Sequence, residues 1–368
     1  MGRGSLSIGK IYGISINLHY SWFLIVALMA WSLAIGYFPA QIPGKNEALY
    51  WLMGVLAALL LFASVLLHEL SHSIVAIKNR IKVESITLFF FGGVAQVHED
   101  GFNAAKELKV AIAGPLASFA LALIFFLVSK VSMAYVSSVL AYVAGINLVL
   151  GIFNLIPGFP LDGGRVFRAI LWWKLKDLNK ATYYAAQAGK VCAVLLIITG
   201  VMGYFAGRID LWYILLGLFL YSVANSSYSQ TVLGSILKKV KVKDIMMKKF
   251  RTLDAGSSVL KADFKKVISS DQWIYPVKAG RKIIGVVSQE AIEKAKVSGR
   301  KAKIGDIATP IAKVKSVTPD DDCMKAYELM AMQGMEILPV MGKGKAIGIV
   351  KAATISEILS IENAKKRK

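Results

Sequence analysis

Among its 368 residues the chain has only two cysteines, four histidines and nine prolines. Cys192 falls in an apolar run and Cys323 in a polar stretch, so no disulfide framework is available to hold the fold. Acidic residues are scarce as well. Twenty-three Asp and Glu stand against 44 Lys and Arg, a formal net charge of +21. The N-terminus lacks a signal-peptide cleavage pattern, and its first apolar run reads as a retained anchor. What the chain has in abundance is apolar sequence, 56% of its residues, concentrated between residues 20 and 235. This division predicts a membrane domain, 1–237, followed by a water-exposed domain, 238–368.

Six apolar segments lie near 20–37, 51–77, 109–129, 134–156, 188–206 and 211–228. The expected fold class is therefore a polytopic α-helical membrane protein of about six transmembrane helices, followed by a soluble α/β module. Six spans put both termini on one side. Lys10, Lys78, Arg80, Lys106, Arg168 and Lys174 fall on that side, whereas only Lys45, Lys130 and Arg208 fall on the other. The bias predicts cytoplasmic termini. The compact, Lys-rich style points to a bacterium or archaeon, and so to a multi-pass protein of the cell membrane. Trp172 and Trp173, in a basic amphipathic stretch, suit a helix lying at the lipid interface. The positive tail reads as a module held beside the anionic headgroups of the bilayer, and no nucleic-acid partner is expected.

Within the second span lies "LLHELSH", residues 66 to 72. Ionisable groups in a spanning helix cost about 2.5–3.5 kcal/mol each at its centre, and tend to be there for a purpose. His68 and His72 are four residues apart, on one helix face, so both can grip one metal ion. Glu69 is about a hundred degrees round the helix, near enough to hold a water at that metal. The H-E-x-x-H pattern is the zinc-protease signature. A catalytic zinc wants three protein ligands. The candidates for the third are His19, Glu84, His98 and Asp162. His19 and His98 read as interfacial. Asp162 lies in "NLIPGFPLDGG", residues 154 to 164, where Pro157 and Pro160 break the helix and glycines permit close approach. Irregular backbone at membrane depth belongs where it lines a cavity. Taken alone, Asp162 could equally cap the helix that follows; beside H-E-x-x-H, the ligand reading is preferred.

Together these motifs resemble the site-2 protease family of intramembrane zinc metalloproteases. "HELSH" matches the first family signature, and Asn154, Pro157, Leu161, Asp162 and Gly163 match the second. The resemblance implies His68, His72 and Asp162 as zinc ligands and Glu69 as general base. It implies Asn154 as a residue that holds the substrate, through a hydrogen bond to its carbonyl. "GPLAS" (114 to 118) resembles the family's small-residue motif in the third span. "FFFGGVAQV" (89 to 97) resembles its membrane-dipping segment, which would offer a strand edge to an unwound substrate. The substrate implied is a transmembrane protein. The short outward loops leave no room for a PDZ-like insertion.

From Val242 the tail repeats at a period near 62 residues: "VKDIM" (242) with "IGDIA" (304), "YPV" (275) with "LPV" (338), and "IIGVVS" (283) with "AIGIVK" (346). It resembles a tandem pair of CBS domains, about 240–298 and 302–362. The resemblance implies a regulatory or dimerising role, with an adenine nucleotide or a second copy of the chain as partner. Ser288 is followed by Ala291, and Lys351 by Thr354, where the nucleotide-binding pattern has Ser or Thr followed by Asp. The competing class is a CBS-regulated metal-ion transporter or channel. It predicts ionisable groups spread along a pathway and paired broken helices; here the ionisable groups cluster.

Overall fold

A computed structural model describes residues 4–90, 92–97, 101–207, 211–248, 250–261, 274–280, 282–298, 302–310, 314–342 and 345–365. The chain divides into two compact units, Met1–Ser229 and Gln230–Lys368.

The first unit opens with β1 (Ser5–Ile11) and β2 (Ile14–His19), antiparallel and joined at Tyr12 and Gly13. Both joining residues have positive φ, the hairpin geometry that matches strand twist. α1 (Tyr20–Ser32), a π-helical turn (Leu33–Tyr37) and α2 (Phe38–Gln41) run on as one apolar helix of 22 residues. α3 (Glu47–Lys78) starts where the Asn46 side chain accepts from the Ala48 N–H. Its 32 residues extend about 48 Å, well beyond a hydrocarbon core of about 30 Å. β3 (Val83–Phe89) and β4 (Gly92–Val97) form a second hairpin. Then come α4 (Ala104–Val131), α5 (Ala134–Asn154), α6 (Asp162–Leu175), α7 (Leu178–Phe205) and α8 (Leu211–Leu237).

Five helical segments among the described residues are long and apolar enough to cross a membrane: 20–41, 47–78, 104–131, 134–154 and 178–205. The sixth apolar segment of the sequence lies in α8, which is diluted from its middle onward by Ser222, Asn225, Ser226 and Ser227. Trp173, near the end of α6, is exposed.

The four strands form one sheet in the order β1-β2-β3-β4, with β2 and β3 parallel. The connection between that parallel pair is the long excursion through α1 and α3. The second half of α3 therefore returns onto the sheet. Ile14, Ile16 and Leu18 of β2 and Val83, Ile86 and Leu88 of β3 pack against Leu70 and Ala76 of α3 and Val110 of α4. Alternation puts Ile14, Ile16 and Leu18, and Ile86 and Leu88, on the covered face, and the register shift between Val83 and Ser85 brings Val83 to it as well. The sheet thus lies against the stretch of α3 that carries the two histidines.

In the second unit β5 (Leu253–Asp254), β6 (Ile274–Ala279), β7 (Lys282–Ser288) and β8 (Thr309–Pro310) make one sheet, and β9 (Ile337–Gly342) pairs with β10 (Lys345–Lys351). The halves exchange their opening segments. Val242, at the head of the first repeat, is fully buried in the core of the second half with Val317, Cys323, Leu338 and Val350. Ile304, at the head of the second, is buried in the first half with Val259, Tyr275, Val277 and Val287. Backbone bonds run accordingly, from Val242 N to Asp321 O and from Ile304 N to Ser257 O. The linear limits 240–298 and 302–362 are therefore crossed by the packing. Leu233 and Leu237, at the end of α8, also belong to the second half's core, so the unit boundary falls inside α8, a little before 237.

Burial, with the Asp322 and Asp244 carboxylates nearby, pushes the Cys323 thiol up to about 11. Cys323 is fully enclosed, and a thiol in that state is a poor nucleophile. Native protein at pH 7 should leave Cys323 unlabelled by iodoacetamide, and urea should expose it. Mass spectrometry of the alkylated peptides checks this; rapid native labelling would refute the burial.

Candidate metal centre

His68 and His72 project from α3 into the unit's interior and are 4% and 6% exposed. Asp162 is the first residue of α6. His68 Nε2 and His72 Nε2 each lie 3.1 Å from Asp162 Oδ2 and 3.2 Å from each other. These three residues form a group able to hold a metal ion. A tetrahedral zinc with ligand bonds of about 2.0–2.1 Å spaces its ligands about 3.3 Å apart, so the triangle has the right size.

The surroundings fit the same ion. His72 Nδ1 lies 2.6 Å from the Val110 carbonyl, which only accepts, so the Nδ1–H donates there and the Nε2 lone pair faces Asp162. His68 Nδ1 pairs with Ser118 Oγ at 2.9 Å. Lone pairs from an imidazole and a carboxylate converging on one point are an arrangement that a cation satisfies. Both imidazole partners come from α4, where Gly114 lies between them. A Cβ at Gly114 would sit 2.1 Å from His72 Nε2 and 2.6 Å from His68 Nε2. Any side chain there would occupy the space of the imidazole tips.

The carboxylate arrives by a different route. The capping alternative for Asp162 is not what is seen: Leu161 is the N-cap, without a side-chain cap bond, and the Asp162 side chain turns to the histidines. The loop before it is pressed on α7. Phe159 N–H donates to the Ala185 carbonyl at 3.3 Å, and a Cβ on Gly189 would meet the Phe159 carbonyl oxygen at 2.2 Å. Glu107, 1% exposed on α4, takes hydrogen bonds from Nε and Nη2 of Arg168 on α6.

Of the other third-ligand candidates, His19 is exposed and accepts from Ser21 N–H as the N-cap of α1. Glu84 pairs with Lys82 at 3.2 Å. His98 lies outside the described residues. Glu69, partly buried on α3, lies along β4: a Cβ on Gly93 would meet Glu69 Cγ at 2.4 Å and Oε1 at 3.3 Å. Asn154 is the last residue of α5, partly buried, and the two carbonyls after it, of Leu155 and Ile156, press on Gly163 beside Asp162.

Sequence reasoning missed Val110, whose contribution is a backbone carbonyl and leaves no residue signature. It also missed the Glu107–Arg168 pair, since Arg168 reads simply as an interfacial cation. The signal available was a glutamate in the first turn of an apolar helix.

The profile of Peptidase family M50 matches residues 56–134 and 129–198, and that of the CBS domain matches 304–361. Rip3 of Mycobacterium tuberculosis is 33% identical over 370 residues, covering 98% of this chain and 94% of that protein. Zinc metalloprotease MJ0392 of Methanocaldococcus jannaschii is 32% identical, covering 98% of both chains. The solved site-2 protease from Methanocaldococcus jannaschii aligns with 61% of this chain and 95% of its own, at 34% identity and a TM-score of 0.43.

Gly114→Ala should lower zinc affinity by at least about tenfold, in the range seen when groups supporting metal ligands are disturbed, while helical content is kept. Zinc retained on the purified variant against a competing chelator reads this out. Unchanged affinity would mean that the imidazole tips do not need the space.

Proposed function

The chain belongs to peptidase family M50, the site-2-type zinc metalloproteases, and on that premise we propose that it hydrolyses peptide bonds within or near transmembrane segments of membrane proteins. The observation that carries the reading is the convergence of His68, His72 and Asp162 beside Glu69 in an apolar helical unit. His68, His72 and Asp162 would hold the zinc, which when bound polarises the scissile carbonyl and acidifies water beside it.

The chain's own residues supply the rest. The Glu69 carboxylate takes a proton from the attacking water and returns it to the leaving amine. Asn154 donates its side-chain N–H to a substrate carbonyl and so holds the scissile segment in register. β4 is the outer strand of its sheet among the described residues. An extended substrate segment adding along that edge would run past Gly93, against which the Glu69 side chain lies. A helical substrate hides its peptide bonds, so unwinding comes first, and Gly, Pro or polar residues in the target favour it.

The bilayer in question is the cell membrane, with both termini in the cytoplasm, a topology that takes α8 as the sixth span and that the lysine and arginine distribution supports. The CBS pair regulates the protease or joins two copies of the chain, with an adenine nucleotide as the ligand class. Because each half is completed by the opening segment of the other, the pair responds as one body. The transporter reading has no comparable support: the ionisable groups meet at one centre and the family is one of peptidases.

The test uses purified full-length protein and a single-span substrate in detergent. Wild type should cut, and a zinc chelator should stop it. Glu69→Gln should keep wild-type zinc content and lose about 10²–10⁴-fold in rate. Asp162→Ala should lose zinc and cleavage together, and Asn154→Leu should keep zinc and lose rate. Cleavage by Glu69→Gln at the wild-type rate would remove Glu69 from the chemistry.

A further inference from the structure

The Glu107–Arg168 ion pair joins the two helices that carry opposite sides of the metal centre. Arg168 Nε donates to Glu107 Oε1 at 2.7 Å, Nη2 donates to the same oxygen, and the glutamate side chain is 2% exposed. The guanidinium also lies 5.0 Å from the ring centroid of Phe159, in the loop that leads into Asp162. On α4, Glu107 is followed by Val110, Gly114 and Ser118, the residues that orient or accommodate the two imidazoles. On α6, Arg168 is six residues beyond Asp162, about 9 Å along the axis and about 240° round it. Pinning that other face of α6 resists both rotation and tilt of the helix whose first residue is Asp162.

We propose that Glu107 and Arg168 are positioning residues that set the approach of Asp162 to His68 and His72, an inference that rests on the zinc-centre reading above. A stabilising role alone does not account for the pair. Replacing a buried ion pair by apolar side chains of similar size is often neutral for stability, whereas a forked guanidinium on a carboxylate fixes direction. Among the described residues the Asp162 side chain bonds to the two imidazoles of α3, which are themselves held by Val110 and Ser118 of α4. The relation between α6 and α4 therefore decides where its oxygen falls.

The experiment uses the full chain in detergent, with zinc affinity measured by chelator competition and the visible spectrum of the Co²⁺-loaded protein recorded. The principal variant is the double replacement Glu107→Met with Arg168→Met, which fills the space without the directional contact. It should keep the wild-type circular dichroism and melting behaviour, lose about 10–100-fold in zinc affinity, and shift the Co²⁺ bands. A merely structural pair would leave affinity and bands alone once the fold is kept, and that result overturns the proposal. Should the double variant not fold, Arg168→Lys decides: it keeps the charge and loses the two-donor geometry. A tenfold loss there supports the proposal, and wild-type affinity overturns it. If wild-type protein itself takes up no zinc, the centre fails as a zinc site and the positioning role falls with it.

Discussion

Two imidazoles and a carboxylate have to be held about 3 Å apart inside a unit built mostly of apolar helices. Dispersion and apolar burial are non-directional and cannot set such a spacing. Directional contacts must do it, and they come from the flanking helices: the Val110 carbonyl and Ser118 hydroxyl on the imidazoles, and Arg168 on Glu107 between α4 and α6. α3 supplies the two imidazoles at fixed helical spacing, which is why a single short motif can carry them. The carboxylate comes from a second helix whose start is placed independently, by a loop pinned at several points.

The sheet enters for a related reason. Irregular or edge-forming backbone at membrane depth is tolerated only against protein or a wet cavity. Here β2 and β3 are covered by the second half of α3, through Leu70 and Ala76, and by Val110 of α4, whereas β1 is largely exposed. The helix that presents the histidines is thus also the floor of the sheet. Glu69, between them in sequence, meets β4 at Gly93 because the same helix serves both.

Much of this was legible in the sequence. The apolar runs marked the spans, since a helix in lipid must be continuously apolar, and the period near 62 residues marked the soluble repeat. His68, His72 and Asp162 stood out because ionisable groups are conspicuous in such a background. What the sequence concealed falls into two kinds. Backbone contributions, such as the Val110 carbonyl, have no letter. Exchanged packing, as of Val242 and Ile304, is invisible to a linear reading, because a repeat shows similarity between segments and not which partner each one completes. Arg168 was concealed differently, as one cation among many at the helix ends.

The same physical device recurs on the two sides of the centre, and it accounts for the small residues in both motifs. Where Gly114 faces the imidazoles, a missing Cβ lets two ring nitrogens approach α4. At Gly158 in the loop and at Gly163 and Gly164 in the first turn of α6, missing Cβ atoms let backbone touch backbone: Gly163 against the Leu155 and Ile156 carbonyls, and Gly158 against Gly189 of α7. In both places a methyl group would overlap atoms that are themselves held, so relief would require moving a ligand or the turn that aims one. Polar ligands give the centre its chemistry, but hard-sphere contact determines how closely the helices carrying them can come. A centre assembled from rigid helices therefore has little slack. That stiffness is why a contact as distant from the ligands as Arg168 on Glu107 bears on where the Asp162 oxygen falls.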